Sequence, residues 1–165
     1  MIAQRLDSEA LDGDSALRES LLKLNNRSAI ETSRLESGRL IELVAGAFAA
    51  LHVPEAQALL ITFNQNATYD SPNFLWFHEH YERFVYVDRI VVAESARGQN
   101  FARRLYHQLF DLAREAGHST IVCEVNSNPP NPSSDAFHAR MGFEQVGSAK
   151  LNKDKSVRYL LKALD

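Results

Sequence analysis

The chain has 165 residues, 45% of them apolar and 24% charged, with 18 Lys+Arg against 21 Asp+Glu. That size suits one domain over 1–165, and the single cysteine, Cys123, excludes an internal disulfide framework or a cysteine-based zinc finger. A net charge of -3 speaks against a nucleic-acid partner, no apolar run nears the ~20 residues of a membrane span, and the first residues lack the basic start of a leader, so a soluble cytoplasmic protein is expected.

Leu17, Leu21 and Leu24 recur at helical spacing behind Asp14, which predicts a short amphipathic helix over 15–25 with Asp14 as its N-cap. A second helix is expected from Ser33, with Glu36 completing a capping box, Leu40, Leu43 and Val44 on its apolar stripe, and Gly46 ending it. Residues 48–53 and 57–63 flank Pro54-Glu55-Ala56 and read as a hairpin, although the Ala-rich 47–50 could equally prolong the helix. Residues 64–83 carry Tyr69, Phe74, Trp76, Phe77 and Tyr81 without clear periodicity and read as a loop folded over the core by its aromatics.

From Phe84 the pattern sharpens. Residues 84–92 are strongly β-prone, and a helix follows with Ala102, Leu105, Tyr106, Leu109, Phe110 and Ala113 on one stripe, closed by Gly117. Residues 120–125 form the next strand. Asn131 then caps a short helix with Pro132 at its first position and Gly142 just beyond it. Residues 143–150 and 156–164 read as a final strand pair, so the whole is an α/β domain with a central sheet.

The strand–turn–helix at 90–103 is where chemistry is expected. Arg97-Gly98-Gln99-Asn100-Phe101-Ala102 places free backbone N–H groups at a helix N-terminus, which suits a pyrophosphate but also describes an ordinary helix start. It is neither a Walker A loop nor the three-glycine dinucleotide fingerprint. His78-x-His80 lacks a third ligand, so no metal is expected; Ser133, Ser134, Asp135 and His138 share one short helix and cannot converge as a hydrolase triad. Cys123 reads as a buried strand residue and 150–155 as a solvated turn.

Two segments carry a resemblance. Residues 90–102, Ile90-Val91-Val92-Ala93-Glu94-Ser95-Ala96 and the turn quoted above, resemble the strand and pyrophosphate loop of the GNAT superfamily of acyl-CoA-dependent N-acetyltransferases. Asn131-Pro132-Ser133-Ser134-Asp135-Ala136-Phe137-His138-Ala139-Arg140-Met141-Gly142-Phe143 is similar to that family's Asn-capped helix and its Gly-Phe step into the next strand. Tyr69-Asp70-Ser71-Pro72-Asn73, Cys123-Glu124-Val125-Asn126 and Pro129-Pro130-Asn131-Pro132 resemble a bacterial subgroup. The resemblance implies a GNAT fold with a central mixed twisted sheet of about six to seven strands and about four helices. It also implies acetyl-CoA as cosubstrate, held by Ile90, Val91, Val92, Arg97, Gly98, Gln99, Asn100, Phe101, Ala102, Arg103 and Asn131. Asn100 stands where the family's loop has its first Gly, a substitution that Asn's tolerance of left-handed backbone permits.

The implied reaction is direct attack of an amine, expected to be a small molecule, on the acetyl-CoA thioester. Alkyl amines with pKa about 10 are protonated at pH 7, so a base must act; the thioester oxygen needs a donor, implied to be a backbone N–H near Val92, and the departing thiolate needs a proton. Tyr86 and Asp88 precede Ile90 at strand period two, so both are expected to point to one face near the reacting end. Asp88 is the candidate base, or else a strand-end residue paired with a nearby Arg; His138, where many members carry a Tyr, is the candidate acid, or else packs. Asp135, one turn before His138, orients it or pairs with it. Asn25, Asn26, Asp70 and Trp76 are implied to line the acceptor side, and Asp70, Glu79 and Glu82 could neutralise a cationic acceptor. The rival readings are a catalytically silent acyl-CoA-binding module and a modifier of protein N-termini or Lys. A homodimer is left open.

Overall fold

The computed structural model describes residues 3–28 and 32–165; Met1 and Ile2, part of the stretch read for a leader, lie outside them. The elements run β1 (Gln4–Arg5), α1 (Ser8–Gly13), α2 (Ser15–Arg27), α3 (Ser37–Gly46), β2 (Ala49–Val53), β3 (Ala58–Asn64) and α4 (Pro72–His80). They continue with β4 (Val85–Val92), a 3-10 turn (Glu94–Ala96), α5 (Phe101–Glu115), β5 (Thr120–Asn128), α6 (Pro132–Arg140), β6 (Glu144–Asn152) and β7 (Lys155–Ala163). None of the described helices is long and apolar enough to cross a membrane.

Local chemistry explains most boundaries. The Asp7 and Asp14 carboxylates accept from Ala10 N at 2.8 Å and Leu17 N at 3.0 Å, capping α1 and α2. Asn131 caps α6 by accepting from Ser134 N, and Pro132 opens that helix where a missing N–H costs nothing. Two expectations need correction. The second helix begins at Ser37 rather than Ser33, because Ser33 is engaged elsewhere: its carbonyl accepts from Asn25 and Arg89, and its hydroxyl from Arg89. The aromatic stretch is no simple loop, since it contains α4, begun at Pro72 and burying Asn73, Phe74 and Phe77 on one side. With α1, also unforeseen, α4 brings the described α-helices to six rather than about four.

The seven strands form one sheet in the order β1-β2-β3-β4-β5-β7-β6. Only β4 and β5 are parallel, and they pair at just two positions, Val85 with Ile121 and Tyr86 with Val122. Beyond those the strands diverge, β4 staying with β3 and β5 with β7. The register of β3 against β4 also jumps: Ile61 faces Arg89 and Thr62 faces Val87, leaving Asp88 as the extra residue of a bulge. An extra residue reverses side-chain parity. Tyr86 and Val91 therefore pack into the core under α1–α4, while Val85, Val87, Ile90 and Val92 pack with α5 on the other face. The bulge thus puts Ile90 on the face opposite Tyr86, although two-residue spacing would align them.

Candidate active site

A cavity of about 860 Å³ occupies the gap where β4 and β5 part. Val87, Asp88, Ile90, Val91 and Val92 line it from β4, Cys123, Glu124 and Val125 from β5, and Phe137 and His138 from α6. The turn before α5 contributes Arg97, Gly98, Asn100, Phe101, Ala102 and Arg103, and Asn131 joins from the cap of α6. The residues expected around a pyrophosphate are therefore gathered in one place, except that Gln99 is exposed and lies outside the lining.

The turn has the geometry of an anion cradle. Gly98 has φ +81° and Asn100 has φ +63° and ψ 24°, a left-handed conformation that Asn adopts more readily than other side-chain-bearing residues. The first bond of α5 is Arg104 N to the Asn100 carbonyl at 3.0 Å, so the N–H groups of Phe101, Ala102 and Arg103 have no acceptor within the helix. Three free donors, the positive end of a 15-residue helix and the flanking guanidinium groups of Arg97 and Arg103 fit a diphosphate.

Two carboxylates face the cavity in different states. Asp88 is engaged on both oxygens: Oδ1 accepts from the Tyr69 hydroxyl at 2.6 Å, and Oδ2 accepts from Arg89 Nε at 2.7 Å. The Asp88 and Arg89 side chains are 5% and 2% exposed, and Arg89 reaches on to Asn25 Oδ1 at 3.0 Å and to Ser33. No cation among the described residues pairs with Glu124. Tyr86 donates to its Oε1 and Oε2 at 3.0 and 2.8 Å, and Asn73 donates to Oε1 at 3.1 Å while accepting from the Tyr159 hydroxyl. Burial, then the negative charge of Asp88, push the Glu124 carboxyl up to about 7, against the opposing pull of its hydrogen bonds.

His138 is buried and tied at both ring nitrogens. Nδ1 lies 2.8 Å from the Ser134 carbonyl, an acceptor only, so Nδ1 carries the proton and donates. Nε2, 2.7 Å from the Tyr106 hydroxyl, then accepts from it. Burial lowers the imidazole's pKa below its ordinary value, which favours this neutral form. Asp135 forms its ion pair with Arg158 of β7 and not with the imidazole. Cys123 is buried in the slot wall, and desolvation raises its thiol well above the usual range.

The residues expected on the acceptor side are not among those that line the cavity. Asn25 is fully buried, bonded to Arg89 and the Ser33 carbonyl, and Asn26 ties down Leu35 through both its N–H and its carbonyl. Trp76 is stacked between His80 and Tyr159, with ring centroids 3.9 and 4.3 Å away. Asp70, Glu79 and Glu82 are exposed and outside the lining, which instead includes Arg27, Ser28 and Thr32. Sequence pattern alone gave Glu124 and Asn73 no site role. The available signal for Glu124 was a lone carboxylate inside the apolar run Ile121-Val122-Cys123-Glu124-Val125.

Residues 67–143 match the model of the Acetyltransferase (GNAT) family. No curated protein is close enough in sequence to count as a relative. Among solved structures, the chain is similar to Chaetomium thermophilum Naa20 in complex with a bisubstrate analogue, at 17% identity and TM-score 0.73, over 99% of this chain and 87% of that one. It is also similar to aminoglycoside 6′-acetyltransferase type Ii, at 16% identity and TM-score 0.70, over 99% of this chain and 97% of that one. A third likeness is to yncA, a putative acetyltransferase from Salmonella typhimurium solved with acetyl-CoA, at 16% identity and TM-score 0.69, over 100% of this chain and 94% of that one. At these identities the likeness establishes a shared fold.

Proposed function

We propose that the chain is an acetyltransferase of the GNAT family, whose model matches residues 67–143, and that it moves the acetyl group of acetyl-CoA directly onto the amine of a small molecule, with Glu124 taking the amine's proton. The observation that carries this reading is Glu124 itself: a cation-free carboxylate in the wall of the slot, held at about 7. A base poised near the working pH is ionised often enough to accept a proton and basic enough to pull it. Asp88, bonded on both oxygens and paired with Arg89, has no comparable freedom and is assigned to holding the bulged strand.

The remaining parts follow from the fold. Past Tyr86, β4 hydrogen-bonds only to β3, so its other edge offers main-chain donors and acceptors to the amide-bearing arm of CoA, as to an added strand. The same free N–H groups supply a donor for the thioester oxygen. The cradle before α5 takes the pyrophosphate. In the transfer, the amine nitrogen bonds to the acetyl carbon, the carbon–sulfur bond breaks and the amine's proton passes to Glu124. Both nitrogens of His138 being engaged, the thiolate takes its proton from water.

Release of free thiol from acetyl-CoA against a panel of small amines and short peptides tests this. Turnover of small amines, slowed by Glu124→Gln, is expected. CoA binding without turnover of any acceptor would mark a silent module, and turnover confined to peptide N-termini or Lys would overturn the small-molecule acceptor.

A further inference from the structure

The segment Tyr69-Asp70-Ser71-Pro72-Asn73 has no part in the transfer as described, yet it reaches both carboxylates of the slot. The Tyr69 hydroxyl donates to Asp88 at 2.6 Å, and the side-chain amide of Asn73, at the second position of α4, donates to Glu124 at 3.1 Å. Asn73 is buried and, unlike Glu124, is not part of the cavity wall.

Hydrogen-bond chemistry fixes which way that amide faces. An ionised carboxylate only accepts, so Nδ2 points at Glu124, and Oδ1 is left to accept from the Tyr159 hydroxyl at 2.9 Å. Tyr159 is 1% exposed and its ring stacks on Trp76, so the anchor is itself held. On the carboxylate, Oε1 receives both Asn73 and Tyr86, whereas Oε2 receives Tyr86 alone. Each oxygen has two lone pairs, so Oε2 keeps one free.

Resting on the assignment of Glu124 as the base, we propose that Asn73, anchored by Tyr159, is a positioning residue that occupies Oε1 of Glu124 and leaves Oε2 to take the amine's proton. A donor aimed at the charged form also favours that form, so its loss moves ionisation to higher pH. The titratable groups around Glu124 are Asp88 and Tyr86 of β4, Tyr159 of β7, Tyr106 of α5 and the adjacent Cys123. Burial raises the three tyrosines and the thiol, which therefore stay neutral while Glu124 titrates.

The test follows the Glu124 side-chain carboxyl carbon by NMR against pH in the unaltered chain, Asn73→Ala and Tyr159→Phe, which keeps the ring and removes only the anchor. The unaltered chain should titrate near 7. Asn73→Ala should titrate about one pH unit higher, as expected for one lost hydrogen bond to a charged group, and Tyr159→Phe should move the same way by less. With the best amine of the panel above, kcat/KM of Asn73→Ala should fall about fivefold at pH 7 and return to within about twofold of the parent near pH 9.5, whereas a merely structural role would lower the rate equally at both. A Glu124 that titrates in Asn73→Ala where it does in the parent would overturn the proposal, and the same result in Tyr159→Phe would do so if Asn73→Ala does not fold. Ordinary carboxylate titration of Glu124 in the unaltered chain would instead show that its role as base had failed, and this proposal with it.

Discussion

A carboxylate inside an apolar strand is either paired with a cation or pushed towards its neutral form, and the slot holds one of each. For Glu124 the shift links rate and stability. Its pKa is about 7 in the fold against 4.5 for an unperturbed group, so the folded chain keeps a proton that the unfolded chain releases. The stabilisation is full below pH 4.5, falls as pH rises and is gone above about 7, a loss on the order of 3 kcal/mol. Glu124→Gln cannot ionise and can still accept from Tyr86 and Asn73, so it should unfold at higher urea than the parent at pH 8 and at similar urea at pH 4.5. Its kcat/KM should fall about 10²–10⁴-fold and lose the rise through pH 7. A slow variant that is also less stable at pH 8 would mean a structural role. Asp88→Asn should behave in the opposite way: it leaves the buried Arg89 guanidinium without its counter-charge, so stability should drop by about 3 kcal/mol in urea melts at neutral pH. An Asp88→Asn protein of parental stability but with a proton-transfer defect would return the base's role to Asp88.

At the scale of elements, legibility in the sequence follows whether the signal is local. The caps at Asp14 and Asn131, the apolar stripe of α5 and the left-handed Asn100 depend on neighbouring residues, and the structure has them where the pattern puts them. The bulge at Asp88 depends on how β4 meets β3, and period-two reasoning missed the parity change it causes. α4 was hidden because its aromatics serve two neighbours at once, Phe74 and Phe77 turning inward while Trp76 leans on β7. Within the candidate site, the turn before α5 was legible as a local motif, whereas Glu124 was not, since its properties come from Asn73, Tyr86 and Asp88 on other elements. The stacking of Trp76 is likewise set by residues distant in sequence, and it gives a test. A Cβ on Gly147 of β6 would fall 2.5 Å from the Trp76 ring, which His80 and Tyr159 hold on both faces. Gly147→Ala should therefore destabilise by about 1–3 kcal/mol, read as a lower thermal midpoint, with the affinity for CoA unchanged. Unchanged stability would show that the stack yields easily.

For the molecule as a whole, the open feature is the junction of β4 and β5, the only parallel pair in the sheet and bonded at two positions. One layer, α1–α4 with the aromatic core, packs on one face; α5 packs on the other, and both meet across this junction. A ligand that bonds the free edge of β4 and caps the donors of α5 would tie the two strands together where the sheet leaves them apart. It binds only the folded chain, so at a hundred times its dissociation constant CoA should add about 2.7 kcal/mol. For a domain of this size that corresponds to a thermal midpoint higher by about 5–10 °C. The gain should also be local. Amide exchange should slow at Phe101, Ala102 and Arg103, which lack helix acceptors, and along β4 after Tyr86, while the β2–β3 hairpin changes little. A rise in midpoint with protection spread evenly over the sheet, or confined to β2 and β3, would place the ligand somewhere other than the slot.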